Sequence, residues 1–553
     1  MINMCIGNQD FKTIVEQDDS PYVDKSNFIE EVLHENIVLY TRPRRFGKTL
    51  NMSMLYYFFS NKEDSKELFN NLKISKNDEA MKHLNQYPVI YLSFGGSEFK
   101  TLDKQLSDIG SRIMDIVLEF PELMTSEYLT DYQKDSLKRL ETKEYNDNDL
   151  EESLNFISKC LYLHYNEKVI ILIDEYDVPL NYSRGKYYEE FYNFYSVFLS
   201  KGLKYNNSIK KGILTGCLNI AKNSSYTGLN NIRVRSVLDY RSSDCFGFTQ
   251  DELDNLLEKC SLLEKRHLFK DCYDGYQFGE TEIYNPWSVC AYIDELQDNI
   301  GVYPDNYWIN TGRNNEIYDY IKEGNKSLKD EFKRLIDGES ISKRIYPYLN
   351  HRDLDEYSNS SIYSFLLFSG YLKIISPTYD EYGESIRNTY NLMIPNKEVR
   401  EIYVDSFTKW FNATYKNYDI KFIEALLKKD VKEANNILNA SLFQTISYYD
   451  NNESFYHGYM TKLLDIEDYI VESNMESVLG RYDLFVHSSL SKPSLLIECK
   501  HSKSRENLKT DAYNGIKQIK ERQYIEGLTS KEYKNVIAYC ISFYKKECYI
   551  SIL

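Results

Sequence analysis

Paired cysteines, long apolar runs and an excess of positive charge are missing from this sequence. Its ten cysteines include no Cys-x-x-Cys pair, which argues against a zinc cluster and a disulfide framework and fits free thiols in a reducing compartment. No run of about 18 apolar residues occurs, and residues 1–19 hold no basic head followed by an apolar segment. Both absences point to a soluble, cytoplasmic protein without a membrane partner. Positive charge is in deficit: 67 Lys and Arg face 84 Asp and Glu, leaving −17. That disfavours a protein that coats nucleic acid through bulk electrostatics. The deficit is uneven. Residues 481–553 hold thirteen basic and eight acidic side chains, a net +5, which leaves −22 for the rest. A local basic surface is therefore expected near the C-terminal end of the sequence. At 553 residues the chain exceeds one hydrophobic core, so two to four domains are expected.

The most informative stretch is Thr41-Arg-Pro-Arg-Arg-Phe-Gly-Lys-Thr-Leu50. An apolar run, Ile37-Val-Leu-Tyr40, precedes it, and an amphipathic helical pattern over 50–59 follows. Strand, Gly-Lys-Thr loop, helix is the layout of a phosphate-binding loop. Backbone N–H groups of Arg45, Phe46, Gly47 and Leu50, with the positive end of the helix, suit the β-phosphate of ATP. Lys48 suits the β/γ-phosphates, and the Thr49 hydroxyl suits Mg²⁺. Arg42 stands where the usual pattern opens with Gly, and Pro43 stiffens the loop. Upstream, Tyr22 and Lys25 are candidates for contacts with the base or sugar, with a packed turn as the alternative. Ser26 reads as the N-cap of a helix over 27–34.

Downstream, Pro88-Val-Ile-Tyr-Leu-Ser-Phe94 reads as a strand ending in Gly95-Gly96, followed by a long helical stretch over 102–163. Lys168-Val-Ile-Ile-Leu-Ile-Asp-Glu-Tyr-Asp177 reads as a buried parallel strand with an acidic C-terminal tip beside the phosphate loop. Asp174 is placed to hold the Mg²⁺ water shell, and Glu175 to polarise the attacking water. Gly212-Ile-Leu-Thr-Gly216 is a further strand whose Thr215 is placed like a γ-phosphate sensor. Arg233 and Arg235 are weaker candidates for a charge on the γ-phosphate, in cis or from a neighbouring copy. Thr249 with Glu252 forms a capping box. Residues from about 315 to 440 read as helices without chemistry.

The last segment changes character. Gly480-Arg-Tyr-Asp-Leu-Phe-Val486 alternates as a strand containing Asp483, and a hairpin-length gap leads to Ser494-Leu-Leu-Ile-Glu-Cys-Lys500. Period-two geometry puts Glu498 and Lys500 on one face, and pairing of the strands brings Asp483 beside them. Asp483 and Glu498 suit Mg²⁺, with Mn²⁺ as an alternative, and Lys500 suits the attacking water and the phosphorane. Gln518, on a following helix, is an accessory candidate. A surface hairpin with a salt bridge is the alternative.

The phosphate loop, 22–26, the Asp174-Glu175 strand, Leu214-Thr-Gly216, Phe246-Gly-Phe248, 284–288 and 307–312 together resemble the AAA-ATPase-like family. The resemblance makes Arg42 a family trait. Asn219 stands where that family often has Arg. Phe455-Tyr-His-Gly458, 480–483, Glu498 and Lys500 resemble the PD-(D/E)XK nuclease superfamily domain often fused to it. The implied fold is α/β: a P-loop NTPase (AAA-like) parallel-sheet core over 1–245, a helical lid and connector over 246–440, and a C-terminal α/β restriction-endonuclease-like domain over 441–553. The implied function is an ATPase coupled to a divalent-metal-dependent nuclease, with DNA ahead of RNA as partner and a homo-oligomer as a further possibility. The alternative is a nucleotide-switched assembly or signalling ATPase whose nuclease fold only binds nucleic acid.

Overall fold

The computed structural model describes all residues except 1, 18–20, 221–231, 309–314, 325, 350–358, 381, 446–452, 467–468, 478–479, 489–492, 530–532 and 534. The chain divides into two compact units, Met1–Glu316 with Leu335–Tyr403, and Ile317–Arg334 with Val404–Leu553.

The first unit is built on five parallel strands: β1 (Ile37–Thr41), β2 (Val89–Ser93), β3 (Val169–Asp174), β4 (Ile209–Gly216) and β5 (Arg233–Arg235), in the order β2-β3-β4-β1-β5. All six residues of β3 are buried, as a strand between two partners must be when helices also pack against it. The helices Lys48–Phe59 and Asp147–Tyr165 both do so. Register aligns the strand ends: Tyr40 faces Thr215 and Thr41 faces Gly216. On the other side Ser93 faces Asp174, and Ile173 faces Leu214. The C-terminal tips of β1, β3 and β4 therefore share one edge of the sheet.

The helical stretch over 102–163 is three helices, Leu102–Glu119, Asp131–Thr142 and Asp147–Tyr165. Pro121 follows the first, and capping boxes at Thr130 and Asn146 start the other two. The box at Thr249 and Glu252 is present as expected. Ser26 makes no side-chain cap; its hydroxyl accepts from the Ile74 N–H at 3.0 Å instead.

The segment expected as helices from 315 to 440 also contains strands. β6 (Tyr276–Phe278) and β7 (Thr281–Ile283) form a hairpin just before it. β8 (Ile341–Arg344), β9 (Lys373–Tyr379) and β10 (Ser385–Met393) form an antiparallel sheet within it, in the order β8-β10-β9. β9 and β10 are half-buried to exposed along most of their length. They carry no long apolar run, so the periodicity signal is weak.

The second unit has five strands in sequence order: β11 (Ile470–Ser477), β12 (Gly480–His487), β13 (Ser494–His501), β14 (Val536–Tyr544) and β15 (Glu547–Ile552). Only β13 and β14 pair in parallel, and the helix Leu508–Glu521 makes the crossover between them. With the helix Glu453–Leu464 ahead of β11, the order is helix, three strands, two helices (Leu508–Glu521 and Tyr524–Thr529), two strands. Residues 422–438, expected in the connector, contribute to this unit's core. Phe422, Leu426, Leu438 and Leu442 pack with Leu484, Ile497, Tyr539 and Ile541, and Asn435 and Asn439 bond the β15 backbone.

Candidate functional site

The loop after β1 wraps a cavity of about 710 Å³ lined by residues 44–51, Tyr22, Lys25, Glu98, Glu175, Asp177, Cys217 and Trp287. That lies within the roughly 300–1,000 Å³ range of small-molecule sites. Gly47 takes a left-handed φ of 79° as N-cap of the helix Lys48–Phe59, so the loop's backbone amides and the helix's positive end converge. Arg45, at φ 70°, also lies in the left-handed region. Its guanidinium sits 4.1 Å from the centre of the Trp287 ring. Lys48 is buried, with Nζ on the carbonyls of Arg42 (3.1 Å) and Pro43 (2.8 Å). Asn51 Nδ2 ties the helix to the Cys245 carbonyl at 2.8 Å.

Arg42 answers why the loop does without its opening glycine. Its side chain is fully buried, away from the cavity. It donates to the carbonyls of Thr41, Arg235 and Ser242 and lies over Phe246 and Phe278. It braces the edge of the sheet. Burial lowers its pKa to about 10, so it stays charged at neutral pH.

At the tip of β3, Asp174 is fully buried and accepts from the Thr215 hydroxyl and, at 3.0 Å, from the Glu175 N–H. Its other oxygen, Oδ2, has no hydrogen-bond partner among the described residues. Thr215 is thereby occupied in orienting Asp174 rather than reaching into the cavity as a sensor. Glu175 takes φ 53°, left-handed for a non-glycine residue. Its Oε2 lies 3.2 Å from where a Cβ on Gly95 would stand. Burial first, then the charge of Asp174, raises the Glu175 pKa. Asp177 was not singled out in the sequence; it accepts from the Cys217 and Leu218 N–H groups and from Asn181. Its spacing of three from Asp174 was the available signal.

Lys25, Arg233 and Arg235 are engaged elsewhere. Lys25 lines the cavity, but its ammonium bonds Glu252 at 2.5 Å and the Asp244 carbonyl at 2.7 Å. Burial lowers its pKa against the pull of Glu252. Arg233 and Arg235 both pair with Glu35, at 3.3 and 2.6 Å, ahead of β1 and away from its loop. Tyr22 lines the cavity with its hydroxyl 3.3 Å from Met54 Sδ, its ring edge-on to Phe11. The Asn219 amide bonds the Pro347 carbonyl at 3.3 Å.

The second constellation lies on β12 and β13. Their ladder runs from Val486↔Leu495 to Leu484↔Ile497; the next residues on the two strands are Asp483 and Glu498. Asp483 Oδ2 accepts from the Cys499 N–H at 2.8 Å, and its carbonyl bonds His457 Nε2 at 3.1 Å. Glu498 is 2 % exposed. Its Oε1 takes Lys500 Nζ at 2.9 Å and Gln518 Nε2 at 2.5 Å, while Oε2 has no partner among the described residues. Burial, then the charge of Asp483, raises the Glu498 pKa. Burial acts to lower the Lys500 pKa, but the hydrogen bond and charge of Glu498 outweigh it and the net shift is upward. A two-carboxylate set with a buried acceptor left over fits Mg²⁺ or Mn²⁺, which takes one or two carboxylates and completes its shell with water and phosphate. Asp174 likewise leaves its buried Oδ2 over for a cation. Among the described residues no group of three or more His, Cys, Asp or Glu forms a metal cage.

The sheet and loop define a P-loop-like nucleotide-binding module, and the mixed sheet with its carboxylate pair defines a nuclease-like one. Residues 5–225 match the AAA-ATPase-like family, described as predicted AAA-ATPases, and residues 451–552 match the PD-(D/E)XK nuclease superfamily. The chain thus joins an AAA-ATPase-like domain to a PD-(D/E)XK nuclease superfamily domain. A stretch of 326 residues is 26 % identical to an uncharacterized protein in the vnfD 5' region of Azotobacter chroococcum mcd 1. That match takes in 58 % of this chain and 56 % of the relative, so the chain spans about half the relative's length. Among the described residues, no helix is long and apolar enough to cross a membrane.

Proposed function

We propose that the chain is an ATPase whose nucleotide state gates a divalent-metal-dependent nuclease acting on DNA. The observation that carries the metal-dependent nuclease part of the reading is the Glu498 carboxylate, and the gating rests on the joining of the two domains in one chain. One oxygen is held by Lys500 and Gln518, and the other is buried without a protein partner next to Asp483. A buried acceptor left unpaired costs roughly 1–3 kcal/mol, a cost a bound cation removes.

At the nucleotide cavity, Lys48 exchanges its two loop carbonyls for the β- and γ-phosphates of ATP. Thr49 and Asp174 would hold Mg²⁺, which would offset the charge of the phosphates. Glu175, its pKa raised, accepts the proton of the attacking water. At the second site Asp483 and Glu498 would hold Mg²⁺ or Mn²⁺, which would supply Lewis-acid stabilisation. Lys500 orients the attacking water and faces the charge that builds on the phosphate. Gln518 fixes the Glu498 carboxylate.

Cleavage of linear and circular DNA with Mg²⁺ or Mn²⁺ tests this. Wild type cuts, and Asp483→Ala is inert. ATP hydrolysis by a wild-type protein that binds but never cuts nucleic acid would replace the reading with a nucleotide-switched assembly or signalling protein.

A further inference from the structure

The helix Leu508–Glu521 rests on β14 through Gly515, where an added Cβ would lie 2.1 Å from Cys540 Sγ. That close seat delivers Gln518 to Glu498. Four residues later on the same helical face, about 6 Å along the axis, comes Arg522. The helix ends there: the Arg522 N–H bonds the Gln518 carbonyl, and Gln523 takes φ 49°. This turn drives Tyr524 into the core, fully buried beside Tyr482, the residue before Asp483, with ring centres 5.9 Å apart. The Tyr524 hydroxyl accepts from Arg522 Nη1 at 3.1 Å. The guanidinium is exposed, yet anchored by a core residue. Of its five donors, this contact uses one. A surface arginine meant only for solubility needs no buried anchor.

We propose that Arg522 is a phosphate clamp: fixed by Tyr524 at the rim of the Asp483–Glu498–Lys500 site, it takes a non-bridging oxygen of the nucleic-acid backbone. The proposal rests on the nuclease reading of that site. A planar fork recognises phosphate through two parallel hydrogen bonds. Lys500 is shared between Glu498, with which it pairs, and the reacting phosphate, so a second cation at the rim is left to hold the backbone.

The test uses the full chain. Binding of labelled 20-nucleotide single-stranded DNA, duplex DNA and RNA is followed by fluorescence anisotropy in Ca²⁺ over a salt series. Cleavage of the same probes is followed in Mg²⁺. Arg522→Ala is expected to weaken binding about 5- to 30-fold and to flatten the plot of log affinity against log salt by about one unit. KM rises and kcat changes little. Arg522→Lys recovers the salt slope but only part of the affinity. Tyr524→Phe, which keeps the ring, falls between wild type and Arg522→Ala. Unchanged affinity and slope in Arg522→Ala, with cleavage still lost in Asp483→Ala, overturns the clamp and leaves the nuclease reading intact. Full cleavage by Asp483→Ala overturns the nuclease reading. A wild-type protein that binds none of the three probes overturns the clamp.

Discussion

At the scale of single residues, the proposed hydrolysis of ATP turns on a carboxylate held in a strained backbone conformation. Glu175 reaches its place because its left-handed φ swings the side chain toward Gly95, where no Cβ intervenes. Gly95→Ala presses a methyl against that carboxylate; kcat for ATP hydrolysis is expected to fall about tenfold with KM nearly unchanged, as steady-state kinetics will show. The pH dependence has a definite sign. Glu175 must be ionised to accept a proton, and burial with Asp174 nearby raises its pKa. Hydrolysis is therefore lost as pH falls through a value above the ordinary glutamate range, read as the acid limb of kcat/KM against pH. Replacing Lys48 by Ala removes the phosphate cation and is expected to cost about 10²–10³ in hydrolysis. The meeting of the loop after β1 with the tip of β3 at one edge of the sheet was legible in the sequence, because a strand, a Gly-Lys-Thr loop and an acidic strand tip are contiguous motifs. Lys25, Thr215, Arg233 and Arg235 were harder. Their partners Glu252, Asp174 and Glu35 lie up to 227 residues away, and no local spacing announces them.

At the scale of elements, buried polar groups fix geometry that apolar packing alone leaves loose. Arg42 satisfies three backbone carbonyls between two aromatic rings. Restoring the usual loop by Arg42→Gly is expected to destabilise by roughly 3–5 kcal/mol, visible as a lowered unfolding midpoint of the full chain, and not to improve nucleotide binding. Glu398 is 1 % exposed, and it accepts from the Ser288 hydroxyl and the Trp308 N–H. Burial raises its pKa to about 7. A raised acid binds its proton more tightly folded than unfolded, so its contribution is complete below about pH 4.5 and is lost as pH rises through about 7. Glu398→Gln should flatten the fall in stability across that window, by an amount on the order of 3 kcal/mol. Gly515→Ala should lift the helix Leu508–Glu521 off Cys540 and abolish cleavage while ATP hydrolysis persists. Pairing it with Cys540→Ala should restore part of the cleavage. The sheet β8-β10-β9 escaped the sequence because half-exposed strands rich in Ser, Asn and Tyr carry no clean alternation. The capping boxes at Thr130 and Asn146 mark helix starts that a continuous charged pattern had merged, whereas the box at Thr249 stood out in the sequence.

For the whole molecule, charge and chemistry divide along the chain. The net +5 of residues 481–553 lies in the stretch that carries Asp483, Glu498 and Lys500, within a protein of −17. Binding of nucleic acid should therefore weaken steeply with salt, while ATP hydrolysis at Lys48 should not. The central claim is that one site governs the other, and its most direct measurement is DNA cleavage in Mg²⁺ with and without ATP. Wild type, Lys48→Ala and Lys500→Ala are compared side by side. The account predicts cleavage that disappears in Lys500→Ala and that responds to ATP in wild type but not in Lys48→Ala. Lys48→Ala cutting as fast as wild type, with wild type indifferent to ATP, would contradict it.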